Sequence, residues 1–209
     1  MLFVNGVWGK TPSVGMRTAH IKRHTKETDI EISLNVDGKG KAQISSGIPF
    51  LDHMLTLFSV HSLFDLKMEA KGDLEVDAHH TTEDIGISLG QAIKEALGDK
   101  RGIFRYGQSS IPMNEALAQV VVDLSGRPFF VYKGKKLMGK IETFDLELVK
   151  EFFWALSSQA AMTLHVYLNY GENKHHCVEA IFKAFGQALR KAVAKDISRS
   201  DIPSSKGVL

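Results

Sequence analysis

Residues 79–96, HHTTEDIGISLGQAIKEA, recur ninety-six positions later as residues 175–192, HHCVEAIFKAFGQALRKA. Eight of the eighteen aligned positions are identical, including both histidines, the glutamate that follows them and the tripeptide Gly-Gln-Ala. An internal duplication of this length indicates that the architecture itself is repeated. We therefore expect the chain to consist of two similar halves.

Both copies of the duplicated segment have the spacing of an amphipathic helix. Their apolar residues recur every three or four positions, at Ile85, Leu89, Ile93 and Leu97 and at Ile181, Phe185, Leu189 and Val193. This period puts the apolar side chains on one helical face. The spacing predicts one such helix in each half, with the two histidines in its first turn.

The rest of each half predicts strands around a second helix. Helical spacing occurs over 51–58 and 148–156. Apolar and polar residues alternate, as in half-buried strands, over 30–36, 42–44, 66–70, 118–122, 129–132 and 164–168. We interpret Asp37-Gly38 and Ser125-Gly126-Arg127-Pro128 as tight turns before returning strands. Lys71-Gly72-Asp73 is expected to lead into a further return strand through Leu74 and Val76.

This order of elements predicts an α+β fold. We expect a tandem repeat of two similar small units, each a mainly antiparallel sheet with helices on one face. The first repeat unit is placed at residues 17–103 and the second at 104–209. They are expected to pack as one compact body, because no linker rich in Pro, Gly or Ser separates them. Residues 1–16 are expected to be a disordered N-terminal extension.

The composition of the 209 residues is that of a globular protein, with 44% hydrophobic and 24% charged residues. The net charge of +2 and the scattered basic residues argue against a nucleic-acid-binding surface. A single cysteine, Cys177, excludes an internal disulfide. No apolar run reaches the roughly 20 residues of a membrane span, and the first fifteen residues do not resemble a signal peptide. We therefore expect a cytoplasmic protein with no membrane partner.

The histidines and glutamates of the duplicated segment are candidate metal ligands. Residues three and four apart share one edge of a helix, and imidazole nitrogens and carboxylate oxygens bind divalent metals. A polar first helical turn would explain one such motif. Two motifs in register favour a paired metal site with ligands His79, His80, Glu83, His175, His176 and Glu179. We interpret Cys177, between the ligands of the second motif, as a packing residue rather than a thiolate ligand.

Other polar residues are weaker candidates. Aligning the halves through their first helices puts His53, which lies off the apolar stripe, opposite Glu151, which is either a ligand or a charge at a helix start. Glu27 is a carboxylate before the first predicted strand, and its position gives it no special claim as a general base. Four basic residues would as a group suit a phosphate, although each alone is an ordinary charge: Arg105, Arg127, Lys183 and Lys206.

Seven segments carry a resemblance to a known family: TKETDI at 25–30, PFLDHML at 49–55, DAHHTTED at 77–84, FRYG at 104–107, SGRP at 125–128, HHCVEAIFKAF at 175–185 and SKGVL at 205–209. With these segments in this order, the chain resembles the imidazoleglycerol-phosphate dehydratase family from residue 17 to residue 209. The resemblance implies a lyase that dehydrates D-erythro-imidazole glycerol phosphate to imidazole acetol phosphate in histidine biosynthesis. It also implies a fold of the ribosomal protein S5 domain 2-like type.

The resemblance further implies the site residues. Two Mn²⁺ ions per active site are expected at His53, His79, His80, Glu83, His175, His176 and Glu179, with Glu151 at a position that is His in some members and Glu in others. Glu27 matches the family's acid–base glutamate. Substrate is expected to meet Glu27, His53 and, through its phosphate, Arg105, Arg127, Lys183, Ser205 and Lys206. Family members assemble from trimers into a 24-subunit homo-oligomer with active sites between subunits.

For this reaction the expected mechanism runs through a metal-bound imidazolate, since metals favour deprotonated ligands. The ring expels hydroxide to give a diazafulvene-like intermediate, Glu27 removes the neighbouring C–H proton, and the enol becomes the ketone. Two alternatives remain open. A two-metal hydrolase usually has Asp-rich ligand sets, and a non-catalytic metal-storage shell would need neither Glu27 nor the basic group. Nitrogen and oxygen ligands suit Mn, Fe, Co or Zn, so manganese rests on the resemblance.

Overall fold

The computed structural model describes residues 16–209. The extension expected at residues 1–16 therefore lies outside the described residues, apart from Met16. The elements of the described chain follow the order β1 (Thr18–His24), β2 (Thr28–Asn35), β3 (Ala42–Ser45), α1 (Pro49–Ser62), β4 (Asp65–Gly72), α2 (His79–Leu97), β5 (Tyr106–Met113), β6 (Ala116–Asp123), β7 (Phe129–Gly134), β8 (Lys140–Ile141), β9 (Phe144–Asp145), α3 (Leu148–Gln159), β10 (Thr163–Tyr170) and α4 (Lys174–Val193).

Two four-stranded sheets with the same topology form the framework. Their strand orders are β1-β2-β4-β3 and β5-β6-β10-β7. In each sheet three neighbouring strands are antiparallel, and the fourth pairs in parallel at one edge. Helix α2 packs on the first sheet and α4 on the second. The predicted α+β tandem repeat, with mainly antiparallel sheets and helices on one face, is confirmed.

Two strands have partners that differ from the expected ones. We expected β3 to return beside β2 after the Asp37-Gly38 turn, but β3 pairs in parallel with β4, with Ile44 opposite Met68. Likewise β7 pairs in parallel with β10 and not with β6. Alternation reports which face of a strand is buried, and it does not identify the neighbouring strand. A helix crosses between the parallel strands in both halves, as parallel pairing requires.

The prediction of a return strand through Leu74 and Val76 is wrong. Residues 73–78 form turns and irregular backbone, and Val76 is 66% exposed. Strand β4 already has β2 on one side and β3 on the other, so no free edge remains for a further strand. The outer antiparallel positions are occupied instead by β1 and β5, which begin the two halves.

Both helices predicted from the duplicated segment are confirmed as α2 and α4. Phe58 of α1 stacks on Phe185 of α4 with ring centroids 5.2 Å apart, and Phe153 of α3 meets Phe185 edge-on at the same distance. Burying each ring contributes about 1.5–3 kcal/mol through the hydrophobic effect. Among the helices of residues 16–209, none combines the length and the apolar character of a membrane span.

Two equivalent glycines allow the helices of one half to approach those of the other. Helix α1 packs against α4, and α2 packs against α3. A Cβ on Gly90 of α2 would lie 2.5 Å from the carbonyl oxygen of Leu156, and one on Gly186 of α4 would lie 2.9 Å from that of Phe58. Each helix pair is therefore in backbone contact at the same position of the repeat.

Alanine at Gly90 tests this contact. The new methyl group would also lie 3.0 Å from the backbone nitrogen of Ala160, and backbone atoms cannot move aside cheaply. We expect Gly90→Ala to lower the free energy of unfolding by about 2 kcal/mol, within the range for overpacked sites. Gly186→Ala should cost less, because its closest contact is longer. Thermal unfolding followed by circular dichroism measures both, with the exposed Lys94→Ala on α2 as control. A Gly90→Ala protein as stable as the parent would contradict the close helix contact.

Candidate metal centre

Two imidazoles and one carboxylate from different halves converge where α1 meets α4. His53 lies on α1, while His175 and Glu179 lie one turn apart on α4. One ligand atom from each of these three residues lies within 4.8 Å of the other two. The rings of His53 and His175 have centroids 5.5 Å apart, and His175 Nε2 lies 3.3 Å from Glu179 Oε2. Close packing of the two helices therefore joins candidate ligands that are more than a hundred residues apart in sequence.

The donor set at this point fits a divalent transition-metal ion. Ring nitrogens and carboxylate oxygens about 2 Å from one ion lie within about 4 Å of each other, so small side-chain rotations would bring all three to bonding distance. Glu179 is only 7% exposed. Burial raises its pKa, but the hydrogen bond and charge of Lys183, with Nζ 2.5 Å from Oε1, outweigh burial and lower the pKa overall. The carboxylate therefore remains an anionic donor.

The matching position of the other helix pair carries a second, looser set. His79 and Glu83 lie one turn apart at the start of α2, with His79 Nε2 3.8 Å from Glu83 Oε2. Glu151 of α3, the counterpart of His53, lines a cavity of about 220 Å³ together with His79. Within residues 16–209, only His53, His175 and Glu179 converge as a group of three or more. His79 and Glu151 thus face a shared cavity, and the second set does not close on a single point.

The second histidine of each pair instead contacts carboxylates in loops next to the strand ends. His80 Nδ1 lies 2.9 Å from Asp73 Oδ2 and 3.8 Å from Glu27 Oε2. The hydrogen bond to Asp73 raises the pKa of His80. His176 Nδ1 lies 2.7 Å from Glu115 Oε2. Neither second histidine joins the group formed by the first histidine of α4.

Two of these carboxylates were missed from the sequence. Hydrogen bonds from the backbone N–H of Asn173 and from the His176 ring lower the pKa of Glu115 to about 2, so it is ionised. Glu115 stands directly before β6, as Glu27 stands directly before β2. That correspondence between the halves was the available signal for Glu115. Asp73 was read only as a turn residue, and no pattern in its own half distinguishes it.

The side chain of Arg105 is hydrogen-bonded to other residues of the protein. Its guanidinium donates to both carboxylate oxygens of Asp123, at 2.7 and 3.2 Å, and to the carbonyl oxygen of Pro203 at 2.9 Å. The hydrogen bond to Asp123 raises the pKa of Arg105. Arg105 thereby anchors the C-terminal tail, and with Ser205 and the unpredicted Arg199 it lines a cavity of about 460 Å³.

The other predicted anion-binding residues are more scattered. Arg127 is exposed in its turn, and the chain end approaches that turn, because a Cβ on Gly126 would lie 2.5 Å from the carbonyl carbon of Leu209. Lys206 is exposed in the tail. Lys183 contacts Glu179 and Met113 instead. The tail thus reaches the turn that carries Arg127, whereas Lys183 stands beside the candidate metal ligands.

The remaining candidates are readily placed. Glu27 lies in the loop between β1 and β2 with its side chain 54% exposed. Cys177 is buried, and burial raises the pKa of its thiol. A buried, protonated thiol is a poor metal ligand and a poor nucleophile. This environment agrees with a packing role for Cys177.

The amino-acid sequence is similar to those of one protein family. Residues 46–189 match the family described as imidazoleglycerol-phosphate dehydratase. A relative of that name from Geobacillus thermodenitrificans (strain NG80-2) is 56% identical over 92% of this chain and 99% of its own. Another, from Bacillus subtilis (strain 168), is 55% identical over 93% of this chain and 100% of its own.

Solved structures agree with the sequence comparison. The crystal structure of imidazoleglycerol-phosphate dehydratase from Staphylococcus aureus superposes with a TM-score of 0.77 at 45% identity, covering 85% of this chain and 99% of that one. The enzyme from Pyrococcus furiosus, solved in complex with (S)-C348, gives a TM-score of 0.78 at 39% identity, covering 90% and 100%. Fold and sequence thus point the same way over most of the chain: it belongs to the imidazoleglycerol-phosphate dehydratase family.

Proposed function

We propose that this protein is a hydro-lyase of histidine biosynthesis that converts D-erythro-imidazole glycerol phosphate into imidazole acetol phosphate. The observation that carries the proposal is the convergence of His53, His175 and Glu179, with ligand atoms within 4.8 Å of one another, in a member of this family. The reaction breaks a C–O bond and a C–H bond that is not acidic. A metal bound at this site would therefore assist the breaking of these bonds.

Two Mn²⁺ ions per active site are proposed, held by His53, His79, His80, Glu83, His175, His176 and Glu179, with Glu151 as a further ligand. If bound there, the cations would favour the deprotonated substrate ring, and loss of hydroxide from that electron-rich ring would give a diazafulvene-like intermediate. The protein's own contribution is to hold ring nitrogens and carboxylates in fixed positions around the substrate ring. Glu179, ionised and buried, offsets cation charge within this site.

Glu27 is proposed to take the proton from the carbon next to the one that loses hydroxide. The position of Glu27 supports this role, since Glu27 Oε2 lies 3.8 Å from Nδ1 of His80, a proposed metal ligand. The loop that carries Glu27 is also tied to α2. Asp84 of α2 accepts a hydrogen bond from Thr28 Oγ1 at 2.5 Å and pairs with Arg23 at 2.9 Å. A half-exposed carboxylate on an anchored loop can reach substrate without moving the helix.

The substrate phosphate is proposed to meet Arg105, Arg127, Lys183, Ser205 and Lys206. The cavity lined by Arg105 and Ser205 supports this assignment, because it combines a buried cation with a hydroxyl group. Arg105 would act partly through the tail that it anchors at Pro203. Lys183 is now paired with Glu179, so its contact with phosphate would require it to share or exchange that partner.

Assembly is proposed to complete the metal sites in a cytoplasmic 24-mer built from trimers. Three converging ligands leave coordination positions of a transition-metal ion open, and neither second histidine belongs to that group. Large apolar side chains also remain exposed on the single chain, among them Phe129 at 63% and Trp154 at 55%. Contacts between copies would cover such surfaces. The division into repeat units at residues 17–103 and 104–209 stays a prediction.

Replacing Glu27 tests the proposed base. Glu27→Gln keeps the size of the side chain but cannot accept the proton, so we expect turnover to fall by about 10²- to 10⁴-fold. Bound Mn²⁺, measured by elemental analysis, should be unchanged. Glu31→Gln, at an exposed position of β2, is the matched control. Full dehydratase turnover in Glu27→Gln would show that the base has been assigned wrongly.

Chelation tests the link between metal and assembly. If ligands from different copies share each ion, EDTA should split a large particle into small inactive species. Size-exclusion chromatography before and after EDTA treatment measures this, and added Mn²⁺ should restore both the large particle and the activity. An unchanged elution volume from protein shown to be metal-free would count against sites between subunits.

A further inference from the structure

Within each His-His pair, the two rings contact their carboxylate partners through different ring nitrogens. The first histidine turns Nε2 toward the glutamate of its own helix, at 3.3 Å for His175 and 3.8 Å for His79. The second histidine turns Nδ1 toward a carboxylate outside its helix. His176 Nδ1 lies 2.7 Å from Glu115 Oε2, and His80 Nδ1 lies 2.9 Å from Asp73 Oδ2. The same division occurs in both halves.

Glu115 contacts the start of α4 with both of its oxygens. Its Oε1 accepts hydrogen bonds from the backbone N–H of Asn173 at 2.8 Å and of Glu172 at 3.2 Å. Asn173 in turn caps α4, because its side chain accepts from the backbone N–H of His175 and His176. Oε2 remains for the His176 ring. One carboxylate thus connects the β5–β6 loop, the helix cap and the imidazole.

The bond to Glu115 decides where the proton of His176 lies. An ionised carboxylate can only accept hydrogen bonds, so Nδ1 must carry the proton. In the neutral ring, Nε2 then has no proton, and its lone pair can bind a metal. Metal-binding histidines are commonly oriented in this way by a carboxylate on the other ring nitrogen.

We propose that Glu115 is the positioning residue of His176: it holds the ring in the Nδ1–H form so that Nε2 is presented to the metal. This inference rests on the proposed metal site. Asp73 does the same for His80 in the first half. Neither carboxylate touches the substrate in this scheme, and each acts through the imidazole that it holds.

The duplication explains why Glu115 and Glu27 differ although they occupy matching positions. Asp73 follows β4, whereas the residue that follows β10 is Gly171, which has no side chain. In the first half Asp73 binds His80, and Glu27 stays 3.8 Å away and half exposed. In the second half, among residues 16–209, Glu115 itself binds the ring of the second histidine. Asp73 thereby leaves Glu27 available for proton transfer.

Glu115→Gln separates positioning from simple support of the loop. The amide oxygen can still accept from the backbone of Asn173 and Glu172, so thermal stability of the metal-free protein should change little. The amide NH₂ would instead donate to Nδ1 of His176, which moves the ring proton to Nε2 and blocks it as a ligand. We expect Mn²⁺ affinity to fall about 10- to 100-fold. The electron paramagnetic resonance signal of free Mn²⁺ measures binding to the full chain.

Two further variants distinguish a positioning role of Glu115 from a purely structural one. Glu115→Asp keeps an anionic acceptor and should bind Mn²⁺ more tightly than Glu115→Gln. Glu69→Gln, an exposed carboxylate on β4, should bind like the parent protein. Unchanged affinity in Glu115→Gln would overturn the positioning role, and so would equal losses of affinity and thermal stability in Glu115→Gln and Glu115→Asp. Failure of the parent protein itself to bind Mn²⁺ would instead refute the proposed metal site.

Discussion

Each helix of one half packs against a helix of the other, and this packing determines where the candidate ligands lie. Gly90 and Gly186 have no side chain where α2 meets α3 and α4 meets α1, so the backbones approach to contact distance. Interiors of this density transmit position from one element to the next. Because α1 is fixed on α4, His53 meets His175 and Glu179 at the end of the helix pair. The candidate site is therefore a direct product of the packing that joins the halves.

The helix starts then divide their histidines between two tasks. On each helix the first histidine lies beside the glutamate of its own helix, and the second is held by a carboxylate in a loop next to a strand end. Hydrogen bonds to backbone N–H groups and to the ring keep Glu115 ionised. Because hydrogen bonds already hold these imidazoles in place, binding a cation would need little rearrangement of their side chains. The two repeats differ mainly in which carboxylate holds the ring, and Glu27 stays 3.8 Å from His80 Nδ1.

Much of this arrangement could be predicted from the sequence, because the duplicated segment carries local information. A period of 3.6 residues gave α2 and α4, and the matching offsets of His79 and His175 pointed to equivalent ligand sets. The predictions that failed concerned contacts between residues that are distant in sequence. The alternation around Ile44 was correct for a strand and gave no hint that β4 would be its partner. Glu115 was missed because its role depends on the β5–β6 loop approaching α4, which no spacing in the sequence reports.

We propose that the ligands brought together by helix packing hold a cation. Crystals of the Mn²⁺-loaded protein, measured at the manganese absorption edge, test it most directly. An anomalous peak at bonding distance, about 2 Å, from ring nitrogens of His53 and His175 and from a carboxylate oxygen of Glu179 is the predicted result. Fully loaded protein whose manganese lies away from these three residues, or whose anomalous map is empty there, would contradict the claim.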